Sequence, residues 1–276
     1  MKSLFWLASY PKSGNTWLRA FLANYIFNQP KPVPVNQLHK LGAGDANTLA
    51  FQKLLGRPVD PTNPIETARN RAPFFDALVS NGADVNLVKT HNQNNDAFGM
   101  PLVPVHQTKC AIYVVRDPRD MAISYASHHG LTIDETIAHI NNPNNATAGN
   151  AQSVHQFLGR WSDHVTSWTR TKKFPVLAIR YEDMLRKPEK TFASVVRRIA
   201  NMPLDKERLN RAIEFSSFDQ LKKQETETGF IENSEHQDRF FRTGGSGHYR
   251  EHLTPEQISR IEQDHGKVMR RHGYLD

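Results

Sequence analysis

Four short apolar runs recur along the chain, at residues 4–8, 85–88, 111–115 and 176–179, and each has the length and composition of a strand. Their apolar residues are continuous rather than alternating, as in strands covered on both faces. Between the runs the apolar positions change to helical spacing, which predicts helices over 16–28, 117–129, 188–201, 204–214 and 254–271. The clearest stripe lies in 153–171, where Val154, Phe157, Leu158, Trp161, Val165 and Trp168 fall on one helical face. Strands alternating with helices predict an α/β fold: a doubly wound, mostly parallel central sheet flanked by helices on both faces.

Two segments break the pattern. Residues 28–64 mix several prolines with Asn, Gly and Asp, and 141–150 are Asn, Pro, Thr, Ala and Gly, so both read as surface loops. Ligands of open α/β sheets bind beyond the carboxyl ends of the strands, which makes such excursions candidates for an acceptor pocket or a lid. With 276 residues, 38% of them hydrophobic, and no linker, the expectation is one domain over 1–276.

The first run leads into Ser9-Tyr10-Pro11-Lys12-Ser13-Gly14-Asn15-Thr16 and then a helical stretch from Trp17. Strand, turn and helix in this order make a phosphate-binding loop, where backbone N–H groups and a helix N-terminus cradle the anion. In the triphosphatase loop G-x-x-x-x-G-K-[ST], the lysine reaches the β and γ phosphates. Here the spacing survives, but Asn15 stands at the lysine position and the cation is Lys12, on the turn itself. Such a loop suits a ligand without a β/γ triphosphate tail.

The next two runs also end in candidate chemistry. Residues 85–88 run straight into Lys89-Thr90-His91. Alternation puts Lys89 and His91 on the same side, and an imidazole at a strand's carboxyl end is placed to act as a general base. In a chain with thirteen histidines, His91 taken alone reads first as a surface or capping residue. The third run ends in Arg116-Asp117-Pro118-Arg119-Asp120, followed by a helix bearing Ser124. Arg116 can fork onto a phosphate while Ser124 adds a hydroxyl, which makes a second anion site. Asp117 before Pro118 reads as a helix N-cap, and Arg119 with Asp120 as a solvated ion pair.

A formal charge of +7 and a pI near 9.5 favour anionic ligands. The basic residues are dispersed and no nucleic-acid motif occurs, so nucleic acid is not an expected partner. Cys110 has no second cysteine to pair with and suits a reducing, cytoplasmic setting. The first apolar run is too short for a signal peptide, and no run approaches a membrane span. Close ligand pairs of the zinc type are lacking, so no metal is expected.

Together these segments resemble the cytosolic sulfotransferase family, which moves a sulfuryl group from 3′-phosphoadenylyl sulfate (PAPS) to an acceptor hydroxyl or amine. Tyr-Pro-Lys-Ser-Gly-Asn-Thr-Trp at 10–17 resembles the family's loop for the 5′-phosphosulfate, Lys89-Thr90-His91 its catalytic segment, and Arg116 with Ser124 its 3′-phosphate clamp. Arg180-Tyr181-Glu182-Asp183-Met184 and the glycine-rich 240–247 complete a match running from about residue 4 to 272. PAPS carries two separate anionic groups and no triphosphate, which makes the displaced loop lysine intelligible.

The resemblance implies a P-loop-type sheet, PAPS as cofactor without a metal, a small-molecule acceptor, and catalysis by Lys12, Lys89 and His91. Lys12 would bind the bridging oxygen and leaving phosphate, with Ser13, Gly14, Asn15 and Thr16 on the 5′-phosphate and Trp17 stacked on adenine. Lys89 would stabilise the transferring group, and His91 would take the acceptor's proton. Arg116, Ser124 and Arg242 would grip the 3′-phosphate beside Thr243 and Gly244, and Tyr181, Ser216 and Phe218 would contact the adenine region. Tyr181 and Phe218 read equally as core packing.

The chain departs from the family at Thr243, where a lysine is common, so one cationic phosphate contact is absent or supplied elsewhere. A dimer segment is only faintly echoed by Arg250, Thr254 and Pro255, with Ser259 where an acidic residue is usual, which leaves monomer and homodimer both open. The rival readings are a nucleotide kinase, against which Asn15 argues, and a non-catalytic nucleotide or nucleic-acid binder.

Overall fold

The computed structural model describes residues 3–200 and 204–276, so Met1, Lys2 and residue 201 of the expected 188–201 helix lie outside the described residues. Its strands are β1 (Ser3–Ser9), β2 (Ala43–Gly44), β3 (Val85–Thr90), β4 (Asp96–Ala97), β5 (Met100–Pro101), β6 (Thr108–Val115), β7 (Ala146–Thr147), β8 (Gln156–Phe157) and β9 (Val176–Arg180). The α-helices are α1 (Asn15–Phe27), α2 (Thr48–Leu55), α3 (Pro64–Val79), α4 (Pro118–His129), α5 (Ile133–Ile140), α6 (Trp161–Thr169), α7 (Tyr181–Arg186), α8 (Pro188–Ala200), α9 (Lys206–Phe215), α10 (Phe218–Thr228), α11 (Tyr249–His252) and α12 (Pro255–Arg271).

All four apolar runs became strands of one five-stranded sheet with the order β2-β3-β1-β6-β9. β1 pairs in parallel with β3, from Ser3 opposite Val85 to Ala8 opposite Thr90, and β2 pairs in parallel with β3. The sheet is of the doubly wound α/β class that the pattern predicts. β1 lies between β3 and β6, so the crossovers turn opposite ways beside it; in this class of sheet a ligand crevice opens beyond such a strand's carboxyl end.

The chain divides into two compact units: one takes β1 with Tyr10, residues 42–113 and 139–178, and the other takes 11–41, 114–138 and the chain from Ile179 onward. In the first unit Leu4 to Ala8 are buried, as continuous apolar strands require. Trp6 packs edge-on to Phe75 at 5.2 Å and lies 6.0 Å from Trp168, while its Nε1 donates to Thr108 Oγ1 at 2.9 Å. In the second unit Ala20 and Ala23 of α1 are buried with Val33, Val35, Leu38, Leu221, Phe230 and Phe241, and Trp17, Phe218 and Phe240 pack against that cluster. Among the described residues, no helix is long and apolar enough to cross a membrane.

Two expectations are corrected. The stripe at 153–171 is not one helix: α6 covers only Trp161–Thr169, and Gln156–Phe157 form β8 against β7. Leu158 and Gly159 donate their N–H groups to Asn145 O, and Gly159 has φ +63°, so the backbone is committed elsewhere before the helix can begin. Nor is 28–64 a surface loop throughout. It carries a 3-10 turn at Val35–Lys40, the edge strand β2 and helix α2, whose N-cap Asn47 accepts from Ala50 N at 2.7 Å. Val33, Val35, Leu38, Ala46, Phe51 and Val59 are buried within it together with Asp45, which a composition rich in Pro, Asn and Gly concealed.

Candidate active site

In the second unit the residues after β1 form a tight turn that ends at Gly14, the N-cap of α1. Gly14 has φ +102°, and a Cβ there would lie 2.7 Å from Tyr181 Cδ2, so both the turn and the close approach demand glycine. Gly14→Ala is therefore expected to cost about 1–3 kcal/mol of stability, read as a lowered urea midpoint. α1 begins with no side-chain cap and no acidic residue in its first turn, whereas α4 is capped by Asp117 and α9 by Asp205. The N-terminus of α1 thus keeps its backbone donors and its positive dipole end for an anion.

Lys12 occupies the turn with φ +63°. Its Nζ is buried, makes no hydrogen bond within the protein, and lies 3.6 Å from the centre of the Phe240 ring. Burial, with the positive charges of Arg116 and Arg242, lowers its pKa to about 7 against the opposing pull of Glu232 and Glu225. Ser13 Oγ, Trp17 Nε1 and Arg116 Nε are likewise buried without a partner. Orphaned buried donors are costly, and four on one loop and its neighbour mark a place built for an absent acceptor-rich group.

Arg116, at the end of β6, is held by this same loop: Nη1 donates to Lys12 O at 3.1 Å, and the guanidinium stacks 4.3 Å above Tyr181. Tyr181 also meets the Trp17 ring edge-on at 5.6 Å. It is buried, and that burial raises its phenol pKa, so it forms the floor on which Gly14, Trp17 and Arg116 are arranged. Asp117 caps α4 as expected, accepting from Arg119 N, and its own N–H donates to Glu182 Oε1 at 3.0 Å. Ser124 lies half-buried on α4.

Arg119 and Asp120 are not the solvated pair that the sequence suggested. Arg119 is buried and forks onto Asp117 while also reaching Glu262 and Tyr274 O. Asp120 accepts from Gly247 N at 2.6 Å and Tyr249 N at 2.9 Å, which anchors the end of the glycine-rich segment. Further back in that segment, Glu225 accepts from the N–H groups of Phe240 and Phe241, and Arg19 grips Glu232 at 2.6 Å. Arg242 and Thr243 follow, exposed. Gly244 has φ +60° and lies against Phe218, to whose ring a Cβ would come within 2.9 Å. Ser216 is fully buried at the C-cap of α9, its hydroxyl donating to Ala212 O. The second unit therefore gathers Lys12, Arg116, Trp17, Tyr181 and the charge of Arg242, while Ser216 is tied into its own helix.

The first unit carries Lys89 and His91. Burial alternates along β3, with Lys89 and His91 half-exposed and Val88 and Thr90 buried, so the two share a side as alternation predicts. His91 Nδ1 donates to Ser9 O at 2.8 Å, because a carbonyl can only accept, and lies 3.3 Å from Ser9 Oγ. That bond leaves the lone pair on Nε2. The His91 carbonyl in turn accepts from His164 Nε2 at 3.0 Å, and His164 Nδ1 takes the Tyr113 hydroxyl at 2.9 Å. Full burial lowers the His164 pKa to about 4, so it stays a neutral relay that holds position. Sequence reasoning placed Ser9 in the loop but not as the partner of His91, and it missed Tyr113 and His164; a histidine on the apolar stripe of α6 was the signal that could have drawn attention to His164.

Among the described residues, no group of three or more His, Cys, Asp or Glu is placed to hold a metal ion. The profile of the family described as "Sulfotransferase domain" matches residues 2–273. The chain is 25% identical over 289 residues to the rat protein Sulfotransferase 1 family member D1, covering 95% of this chain and 82% of that one. It is 23% identical to mouse Sulfotransferase 1B1, covering 95% and 81%. In three dimensions it is similar to retinol dehydratase in complex with androsterone and inactive cofactor PAP (TM-score 0.65, 18% identity, 98% of this chain and 81% of that one). It is also similar to mouse sulfotransferase SULT7A1 complexed with PAP (TM-score 0.60, 22% identity, 98% and 85%). Because one family profile spans residues 2–273, almost the whole length, this chain belongs to the sulfotransferase family.

Proposed function

We propose that this chain moves a sulfuryl group from PAPS to a hydroxyl or amine of a small-molecule acceptor, as a single metal-independent cytoplasmic enzyme domain. The observation that carries the reading is the set of buried donors without partners, Lys12 Nζ, Ser13 Oγ, Trp17 Nε1 and Arg116 Nε, arrayed at the uncapped start of α1. A ligand carrying two separate anions suits them, with Lys12 and Ser13 at one anion and Arg116 at the other, and Asn15 in place of a loop lysine argues against the usual grip on a triphosphate.

When bound, PAPS supplies an activated sulfuryl group on its 5′-phosphate and a second anion at the 3′ position. Lys12, Ser13, Gly14, Asn15 and Thr16 hold the first anion, and Arg116, Ser124 and Arg242 hold the second. Trp17, which meets Tyr181 edge-on, would hold the adenine together with Tyr181 and Phe218, and Thr243 and Gly244 would assist at the 3′-phosphate. On the acceptor side, His91 receives the proton at Nε2, since Nδ1–H is committed to Ser9. Lys89, on the same strand side, stabilises the charge that develops on the sulfuryl oxygens. The androsterone and retinol held by neighbours of this fold support a small-molecule acceptor.

The test is transfer of labelled sulfate from PAPS to a panel of phenols, aliphatic alcohols and amines, run beside ATP. Phosphoryl transfer from ATP with no sulfated product overturns the reading. Binding of 3′-phosphoadenosine 5′-phosphate (PAP) should also carry a proton signature. Lys12 has a lowered pKa, near 7, and an anion raises it again, so above pH 7 binding takes up a proton and affinity falls as pH rises. Calorimetry in buffers of different ionisation enthalpy measures that uptake directly.

A further inference from the structure

In the first unit a buried carboxylate stands behind the strand that ends at His91. Asp45 follows edge strand β2, and its Oδ2 takes three donors: Arg71 Nη2 at 2.6 Å, Thr90 Oγ1 at 2.7 Å and Asn92 Nδ2 at 3.0 Å. Asp45, Arg71, Thr90 and Asn92 are all completely buried. The Thr90 hydroxyl also accepts from Asn92 N at 2.9 Å. Both chain neighbours of His91 therefore hang on one carboxylate oxygen, with Thr90 as the bridge between it and the backbone beyond the histidine.

Asp45 Oδ1 is buried without a hydrogen-bond partner, so the carboxylate is held through Oδ2 alone, while the groups around it are committed to other partners. Asn92 Oδ1 accepts from Phe157 N at 2.8 Å, and Asn92 O from Trp168 Nε1 at 3.0 Å. Arg71 Nε is spent on Leu102 O at 2.8 Å. A buried ion pair adds little to stability compared with an apolar pair of the same volume. What this one does that an apolar pair cannot is offer an acceptor at which Thr90 and Asn92 both end. The reach from His91 Nδ1 to Ser9 O, which settles which ring nitrogen carries the proton, depends on where residues 90 and 92 are held.

We propose that Thr90, anchored on the Asp45–Arg71 pair, is a positioning residue that holds His91 in its Nδ1–H form against Ser9. The inference rests on the reading of His91 as the base. Valine at position 90 keeps the shape and the strand preference but deprives Asp45 of a donor and the Asn92 N–H of its acceptor; serine keeps both bonds.

The test uses protein labelled with ¹⁵N at histidine, with the His91 signals assigned through His91→Gln. Wild type and Thr90→Ser are expected to show His91 in the Nδ1–H tautomer alone. Thr90→Val is expected to show both tautomers and to release PAP from PAPS about 100-fold more slowly over the acceptor panel, with PAP affinity unchanged. An unaltered His91 tautomer in folded Thr90→Val, or equal turnover in the valine and serine variants, overturns the proposal. Should Thr90→Val not fold, Thr90→Cys, similar in shape and weak in hydrogen bonding, takes its place with the same two outcomes. Undiminished turnover in His91→Ala would instead overturn the base reading, and the tautomer measurement would still decide the role of Thr90.

Discussion

His91→Ala is expected to lower kcat by roughly 10²–10⁴-fold, the range for loss of a positioned general base. PAP affinity should not change, because the donors assigned to the nucleotide lie on other residues. The physical basis is the imidazole's fixed tautomer: Nδ1–H is spent on the Ser9 carbonyl, and the backbone at His91 is held by neutral His164. Alanine removes the proton acceptor without disturbing either cationic group. Single-turnover measurement with PAPS in excess separates the chemical step from product release. Equal single-turnover rates in wild type and variant would remove His91 from the mechanism.

Arg71→Met is expected to be the most damaging single change to stability, at about 3–5 kcal/mol, since it strands the Asp45 carboxylate in the interior. Both side chains are essentially without solvent contact, so water cannot replace the lost partner. Urea unfolding monitored by tryptophan fluorescence reads this loss, and Trp6 and Trp168 belong to the same unit's core. Asp45→Asn and Arg71→Met together should cost less than Arg71→Met alone, because Asp45→Asn removes the stranded charge. A loss in Arg71→Met no larger than that of an ordinary surface substitution would show that the pair is solvated in solution.

Much of the architecture was legible because it depends on local pattern. Continuous apolar runs must be buried on both faces, and the four runs became β1, β3, β6 and β9 with ends shifted by only a few residues. The cap at Asp117-Pro118 was readable for the same reason, since a side chain two residues away satisfies an orphan N–H. Where the reading failed, distant partners decided. The apolar stripe at 153–171 carried helical spacing, yet pairing with β7 and the left-handed turn at Gly159 delayed the helix to Trp161. Arg119 and Asp120 looked like a surface pair because sequence adjacency says nothing of the loop ends that reach them from 247–249 and 274.

The order of residues along the chain was enough to specify the sheet class, the loop around Lys12 and the two strand ends bearing His91 and Arg116, because spacing of a few residues sets which groups share a strand face or a helix start. Tertiary structure alone decided how those groups are tuned. Burial beside Arg116 brings the Lys12 ammonium close to neutrality, a carbonyl eighty-two residues away selects the His91 tautomer, and a carboxylate inside an apparent surface loop holds both of its neighbours. Each of these effects depends on desolvation and on distances of about three ångströms between residues far apart in sequence, which only a folded chain can fix.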